Sequence, residues 1–436
     1  MQLHRSLARC YTLRCRRPFW FFRMPKQVIV AHYHELWLKG GNRNFFLAKL
    51  ITAVRRALEG LPIERIGRPE NRLVIELSAG APLDEVLDRL ERVFGIANYA
   101  LARTVDRTGE HALEDIARVA WEEARGENFK TFAVRAKRSD KTFPHRVTEI
   151  ESAVGRYLLD RLRESGRDVR VQLNDPELTC RIEIPPGPAL VYARKIPGPG
   201  GLPANTAGKM MCLLSGGFDS AVAAYKMMKR GAHLSFVHFW GGGARPGESS
   251  VHVARALVRR LVPYQFTAKL HLVPFEPIQR EIVRDAPENF RLLLYRRMML
   301  RIAERLAQSD HAQGIIAGDS LGQVASQTLR NMVAVGDAVR TPVFRPLAGD
   351  DKIEILAIAQ KIGTYEISAE PFHDCCPLFL PLSPALHASA EDLIQAEARL
   401  DVPALVKRGV ETAVLERYQY AHGRAERVES AESARA

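Results

Sequence analysis

At 436 residues the chain exceeds the usual size of one domain, so two or three domains are expected. Its hydrophobic content of 46% suffices for proper cores, while no apolar run reaches the ~18 residues of a membrane helix. The net charge of +13 points to a polyanionic partner, nucleic acid first, although plain solubility charge has the same sign.

The opening stretch, "MQLHRSLARCYTLRCRRPFWFF", is basic with a short aromatic patch. It lacks the apolar core and cleavage site of a signal peptide, so residues 1–25 read as a disordered arm, with Met24 an alternative start. "QVIVAHYHELWLKGGNRNFFLAKLITAVRRAL" begins as a β-branched strand, turns at Gly-Gly and continues with helical spacing. "NRLVIEL" is a second strand and "LDEVLDRLERVF" a second helix. Residues 26–88 therefore form a small α+β domain.

"HALEDIARVAWEEAR" is an amphipathic helix. In "TFAVRAKRSD" Phe132, Val134 and Ala136 take one face of a strand, and Thr131, Ala133, Arg135 and Lys137 the other. A helix near 148–165 and strands at "VRVQLN" and "LTCRIEI" complete a second α+β unit, residues 89–195. The run "VRAKRSDKTFPHR", with Arg135, Lys137 and Arg138, sets five basic residues against one acid, the surface an RNA backbone wants; a solvated charge run has the same composition.

A proline- and glycine-rich linker, 196–205, precedes a change of rhythm. From 206 to about 400 strands alternate with helices: "KMMCLL", "DSAVAAYKMMKRG", "AHLSFVHF", "SSVHVARALVRRL", "AKLHLVPF", "GIIAGDS". The fold class is α/β, a doubly wound, mostly parallel sheet preceded by two small α+β domains. Residues 401–436 read as a charged helical tail with frayed last residues.

Within this region "MCLLSGGFDS" joins an apolar strand to a helix. Ligands of open parallel sheets sit beyond the carboxyl ends of the strands. Gly216 and Gly217 permit positive φ and close backbone approach, Ser215 and Ser220 offer hydroxyls, and the helix N-terminus adds free N–H groups. Asp219 is placed to position a metal ion or the cradle. The stretch is no Walker loop, since the lysine that reaches the outer phosphates is missing. A cradle without it suits a pyrophosphate that departs, as in adenylation.

The motif resembles the PP-loop of ATP pyrophosphatases, whose members include GMP and NAD synthetases, tRNA thiolases and lysidine synthetase. "YRRMMLRIAERLA" (295–307), "AGDSLGQVASQTL" (317–329) and "EPFHDCCPLFLP" (370–381) narrow the resemblance to the 4-thiouridine synthase (ThiI) family over roughly residues 26–400. That resemblance implies a ferredoxin-like domain, a THUMP RNA-binding domain and a PP-loop domain. It implies ATP with Mg2+ as cofactors, and the nucleotide on Leu213, Leu214, the loop, His238, Phe239, Arg296, Gly318 and Gln327. His238 and Phe239 end a strand, where an adenine would lie against main chain and ring. Arg296 would meet phosphate, and Gly318 would let backbone approach the ligand.

Six cysteines are too few for a secreted disulfide framework, and no C-x-x-C supports a zinc site, so no resident protein metal centre is expected and the compartment reads as cytoplasmic. Cys10 and Cys15 lie in the arm, Cys180 and Cys212 in strands, which leaves Cys375 and Cys376 as sulfur chemists. The family motif puts the persulfide on Cys376 and leaves Cys375 to resolve or assist. About 50 residues without cysteine follow the motif, so a short form without a rhodanese domain is expected. The implied partners are tRNA, a cysteine desulfurase as sulfur donor and the thiamine-pathway sulfur carrier protein; no membrane is expected, and a homodimer is compatible with the sequence. The alternatives are another PP-loop tRNA modifier, such as a 2-thiouridylase, or a non-catalytic THUMP protein.

Overall fold

Strand β1 (Gln27–His32) leads through a 3-10 segment (Glu35–Asn42) into helix α1 (Arg43–Ala57). β2 (Ile63–Gly67), β3 (Arg72–Leu77), α2 (Leu83–Leu90) and β4 (Asn98–Val105) follow. The computed structural model describes residues 26–241, 250–370 and 383–428. The expected arm, with Cys10 and Cys15, lies outside them, as do Cys375 and Cys376.

The middle of the chain is α3 (Ala112–Ala124), β5 (Thr131–Arg138), α4 (Val147–Glu164), β6 (Arg170–Val171), β7 (Leu178–Ile184), β8 (Ala189–Tyr192) and β9 (Ile196–Pro197). Beyond it come β10 (Lys209–Leu213), α5 (Phe218–Lys229), β11 (His233–Trp240), α6 (Val251–Leu261), β12 (Thr267–Pro274) and α7 (Glu276–Asp285). Then follow α8 (Arg291–Ser309), β13 (Ile315–Ile316), α9 (Leu329–Gly336), β14 (Val343–Phe344), α10 (Lys352–Lys361) and α11 (Tyr365–Ser368). The last elements are α12 (Ala390–Ala396), α13 (Val402–Glu411), β15 (Val414–Ala421) and β16 (Arg424–Val428).

Contacts divide the described residues into two units: Ala102–Arg194 with residues 26–28, and Ile29–Leu101 with the described residues from Lys195 on. In the first, the strand order is β4-β8-β7-β5-β6. β5 runs parallel to β7, and β8 antiparallel to it. Its core is Ile116 and Ala120 of α3, Val154 and Leu158 of α4, and Phe132, Cys180 and Ile182 of the sheet. The alternation read at 131–137 holds only in its second half: Thr131 through Val134 are all buried, and from Arg135 on exposed Arg135 and Lys137 flank half-buried Ala136.

In the second unit the seven-stranded sheet has the order β14-β13-β10-β11-β12-β15-β16. Its first five strands are parallel, and β15 and β16 are antiparallel. β10 and β11 are almost wholly buried, as a sheet covered on both faces requires. α5 buries Ala221 through Tyr225 in one run, because small side chains let it sit close to the strands.

Two sequence expectations need correction. A boundary at residue 88 cuts α2; Val86, Leu90, Phe94 and Tyr99 share a core with Ile29 and Val54, so the first α+β layer continues to Leu101. The tail is helical only through α13, and a β-hairpin follows. In "VLERYQYA" Glu416, Tyr418 and Tyr420 are buried and the residues between them exposed, a period of two. His422 and Gly423, both at positive φ, make the two-residue turn that matches strand twist.

Candidate nucleotide and tRNA sites

β10 is central, flanked in parallel by β11 and β13, and its carboxyl end delivers Leu213 and Leu214 to the loop. The Leu214 amide donates to the Val237 carbonyl at 2.9 Å, the last sheet bond before the chain turns. Ser220 closes the turn: its Oγ accepts from the Ser215 amide at 3.1 Å, lies 3.1 Å from Ser215 Oγ, and donates to the Gly217 carbonyl at 3.0 Å. The Gly217 amide donates to Ser215 Oγ. Helix α5 starts at Phe218 with no side chain capping it, so its first turn keeps donors for a ligand.

The glycines act otherwise than the sequence suggested. Gly217 has φ of −77°, and Gly216 is not among the positive-φ residues. A Cβ on Gly217 would meet only Ser215 Oγ, at 3.5 Å. The fold itself therefore leaves room for a side chain there. Gly318 is different, because its Cβ would lie 2.8 Å from the N and Cα of Ser220. Its lack of a side chain lets its backbone pack against the loop.

Asp219 stands in the first turn of α5, half-buried, with Oδ1 buried and unpartnered. Burial raises its pKa, against a side-chain hydrogen bond with Gln323 and the charge of Lys352. Arg296 pairs with Asp319 and donates to Ser326 Oγ at 3.0 Å. Asp319 also accepts from Arg345 Nε at 3.1 Å. Gln327 ends the same loop, its Oε1 buried and unpartnered. Gln323, Lys352, Asp319 and Arg345 were not singled out in the sequence. "DDKIEI" carried a signal for Lys352: a lysine in the first turn of a helix capped by Asp351 works against the helix dipole.

The rings of His238 and Phe239 are corrected to core positions. His238 is fully buried, with Nδ1 2.8 Å from the Leu214 carbonyl and Nε2 2.8 Å from Ser250 Oγ. The Phe239 ring packs edge-on against Phe275, 5.3 Å between centroids. Neither ring is free to meet an adenine; only backbone remains for that role. Cys180 and Cys212 are buried, and burial, with Glu123 adding to it, pushes the Cys180 thiol up to about 12. Burial raises Cys212 too.

On the first unit's basic strand, two of three side chains are committed. Arg135 donates to the Leu173 carbonyl at 2.6 Å, and Arg138 to those of Phe143 and His145 at 3.0 and 2.9 Å. Lys137 is exposed.

Family models match in three consecutive stretches: a ThiI ferredoxin-like domain at 28–100, a THUMP domain at 110–193, and "Thiamine biosynthesis protein (ThiI)" at 205–402. A Thermus thermophilus protein named "Probable tRNA sulfurtransferase" is 43% identical, over 88% of this chain and 92% of its own. The chain belongs to the ThiI family. Another relative of the same name, from a Thermoanaerobacter species, is 38% identical over 86% of this chain and 96% of its own. The solved "4-thiouridine synthetase - RNA complex with bound ATP" superposes with a TM-score of 0.79 at 32% identity, covering 90% of this chain and 99% of that one. The ThiI loop at Ser215–Ser220 is thus the PP-loop of an α/β domain preceded by ferredoxin-like and THUMP domains. Among the described residues no helix is long and apolar enough to cross a membrane.

Proposed function

We propose that this chain is an ATP-dependent tRNA sulfurtransferase that converts uridine 8 of tRNA to 4-thiouridine in the cytoplasm. The observation that carries the reading is the Ser215–Ser220 loop, with the bare surface of Gly217 and the unpaired Asp219 oxygen beside an uncapped helix start. ATP lies with its phosphates on this loop and its base against the backbone of Leu214, His238 and Phe239. The uridine 4-oxygen attacks the α-phosphate, forming an adenylated uridine and releasing pyrophosphate. The terminal sulfur of a persulfide on Cys376 then attacks carbon 4, and AMP departs with the original oxygen. A second thiol, Cys375 or an external one, frees the thiolated base from Cys376 and leaves a disulfide for later reduction.

Mg2+ commonly takes one or two protein carboxylates and fills its shell with phosphate and water. Asp219 fits that demand, and the metal would supply charge to the departing pyrophosphate. A cysteine desulfurase supplies the sulfur, and the same persulfide serves the thiamine-pathway sulfur carrier protein. Exposed Lys137 contacts RNA phosphate.

The test is mass spectrometry of tRNA nucleosides from a strain lacking the protein. Loss of 4-thiouridine, restored by the wild-type gene and not by Asp219→Ala, is expected. Intact 4-thiouridine with loss of 2-thiouridine would replace this reading with the 2-thiouridylase type.

A further inference from the structure

Arg345 follows β14, and Asp319 lies just beyond β13, its parallel neighbour in the register Ile316↔Phe344. The Ala317 amide donates to the Phe344 carbonyl at 3.0 Å, which brings the two strand ends side by side. There the carboxylate of Asp319, 5% exposed, is shared by two guanidiniums. Arg296 takes one oxygen, Arg345 Nε the other at 3.1 Å. Arg345 is itself anchored by Nη2 on the Met332 carbonyl at 3.2 Å, and Arg296 by Ser326. Gly318, immediately before Asp319, rests on the loop at Ser220.

One carboxylate facing one arginine would form a neutral pair and withdraw the cation from any nearby phosphate. A second arginine on the same carboxylate leaves a positive charge unbalanced in a partly desolvated place, where it acts over a longer reach than in water. We propose that Arg345 is a positioning residue: by sharing Asp319 it keeps Arg296 both oriented and net cationic toward the triphosphate of ATP. Arg345 acts through Asp319 and needs no contact with the nucleotide. This rests on the reading of the Ser215–Ser220 loop as the ATP site.

Calorimetric titration with ATP, run alongside tRNA filter binding and thermal melting, tests it on the full chain. Arg345→Gln should weaken ATP binding by about tenfold or more, the scale of one charge-assisted contact, with tRNA affinity unchanged. Arg345→Lys, which keeps the charge, should recover most of that loss. In an Asp319→Asn background, Arg345→Gln should add little, because the carboxylate through which it acts is gone. Unchanged ATP affinity in Arg345→Gln would overturn the proposal. So would Arg345→Lys as impaired as Arg345→Gln with an equal fall in melting temperature, since that marks a role in the fold alone. If wild type binds no ATP, the reading of the site fails first. If it binds ATP and the Arg345 variants bind equally well, only this inference fails.

Discussion

A Cβ on Gly318 would sit 2.8 Å from both the N and the Cα of Ser220, while a Cβ on Gly217 would have 3.5 Å to its nearest neighbour. The two glycines thus answer to different causes. Gly318→Ala overpacks the segment after β13 against the loop and should cost about 1–3 kcal/mol of stability together with ATP affinity. Gly217→Ala should leave the melting temperature of the nucleotide-free protein unchanged and still lose ATP binding. Melting curves with and without ATP separate them, and equal behaviour of the two variants would contradict the assignment.

His238 joins the Leu214 carbonyl at the strand end to Ser250 at the start of α6. Its removal should orphan these buried groups at about 1–3 kcal/mol each. His238→Ala should therefore lower the melting temperature. Nucleotide affinity at temperatures well below melting should change little, because the ring is not a ligand. Wild-type stability with lost ATP binding would restore the ring to the site.

The legible part of the fold was the part governed by period and punctuation. The parallel strands showed as apolar runs, α5 as small apolar residues closed by Gly231, and the loop as Gly216-Gly217 after a strand. The tail was misread because "ALVKRGVETAVLERYQYA" passes from helix to strand with no proline or Asx-Gly break, and only the alternation from Val414 and the His422-Gly423 turn mark the hairpin. Arg296 and Gly318 were named from motif position; Asp319, Arg345 and Lys352 were not, because the pairings that bring them to the loop, such as Arg296–Asp319 and Asp319–Arg345, join residues 23 and 26 apart. His238 misled for a similar reason: a histidine at a strand end looks the same in sequence whether its ring faces a ligand or a carbonyl.

Asp219 yields a pH-dependent expectation. Burial raises its folded pKa above the ordinary 3.8. The sign is that of a group whose neutral form the fold prefers: below pH 3.8 it is neutral folded and unfolded and carries no penalty. As pH rises through the raised value, ionisation destabilises the nucleotide-free protein. Asp219→Asn should therefore raise the melting temperature near neutral pH, and this advantage should vanish in acid. The same variant should release no pyrophosphate with ATP and tRNA. A lower melting temperature at neutral pH would mean that the Gln323 hydrogen bond and the Lys352 charge outweigh burial in the free protein.

The basic strand separates two lysine and arginine roles. Arg138 holds the carbonyls of Phe143 and His145, so Arg138→Ala should loosen the turn before α4 and lower stability. Exposed Lys137 should act on tRNA: Lys137→Ala should weaken binding uniformly across tRNA sequences and reduce the salt slope by about one. Filter binding over a salt series reads both. An unchanged slope would make Lys137 only a solvated side chain.

The cysteines allow the sharpest division. A thiol reacts as its thiolate, and Cys180 and Cys212 are buried with burial raising both pKa values, so neither is available near neutral pH. Brief alkylation of the folded protein at pH 8, followed by peptide mass spectrometry, should leave both unmodified. Cys212 packs behind the loop, with its sulfur 3.9 Å from the Ser220 carbonyl, so Cys212→Ala should touch stability before chemistry. Cys180→Ala should keep thiolation. Cys376→Ser should behave oppositely: AMP and pyrophosphate still form with tRNA, because adenylation precedes sulfur transfer, yet no 4-thiouridine accumulates. Cys375→Ser should form the first thiolated product and then slow when turnover depends on the resolving thiol. Full 4-thiouridine formation by Cys376→Ser, with none by Cys375→Ser, would move the persulfide one residue earlier; loss of thiolation in Cys180→Ala would move it into the THUMP unit.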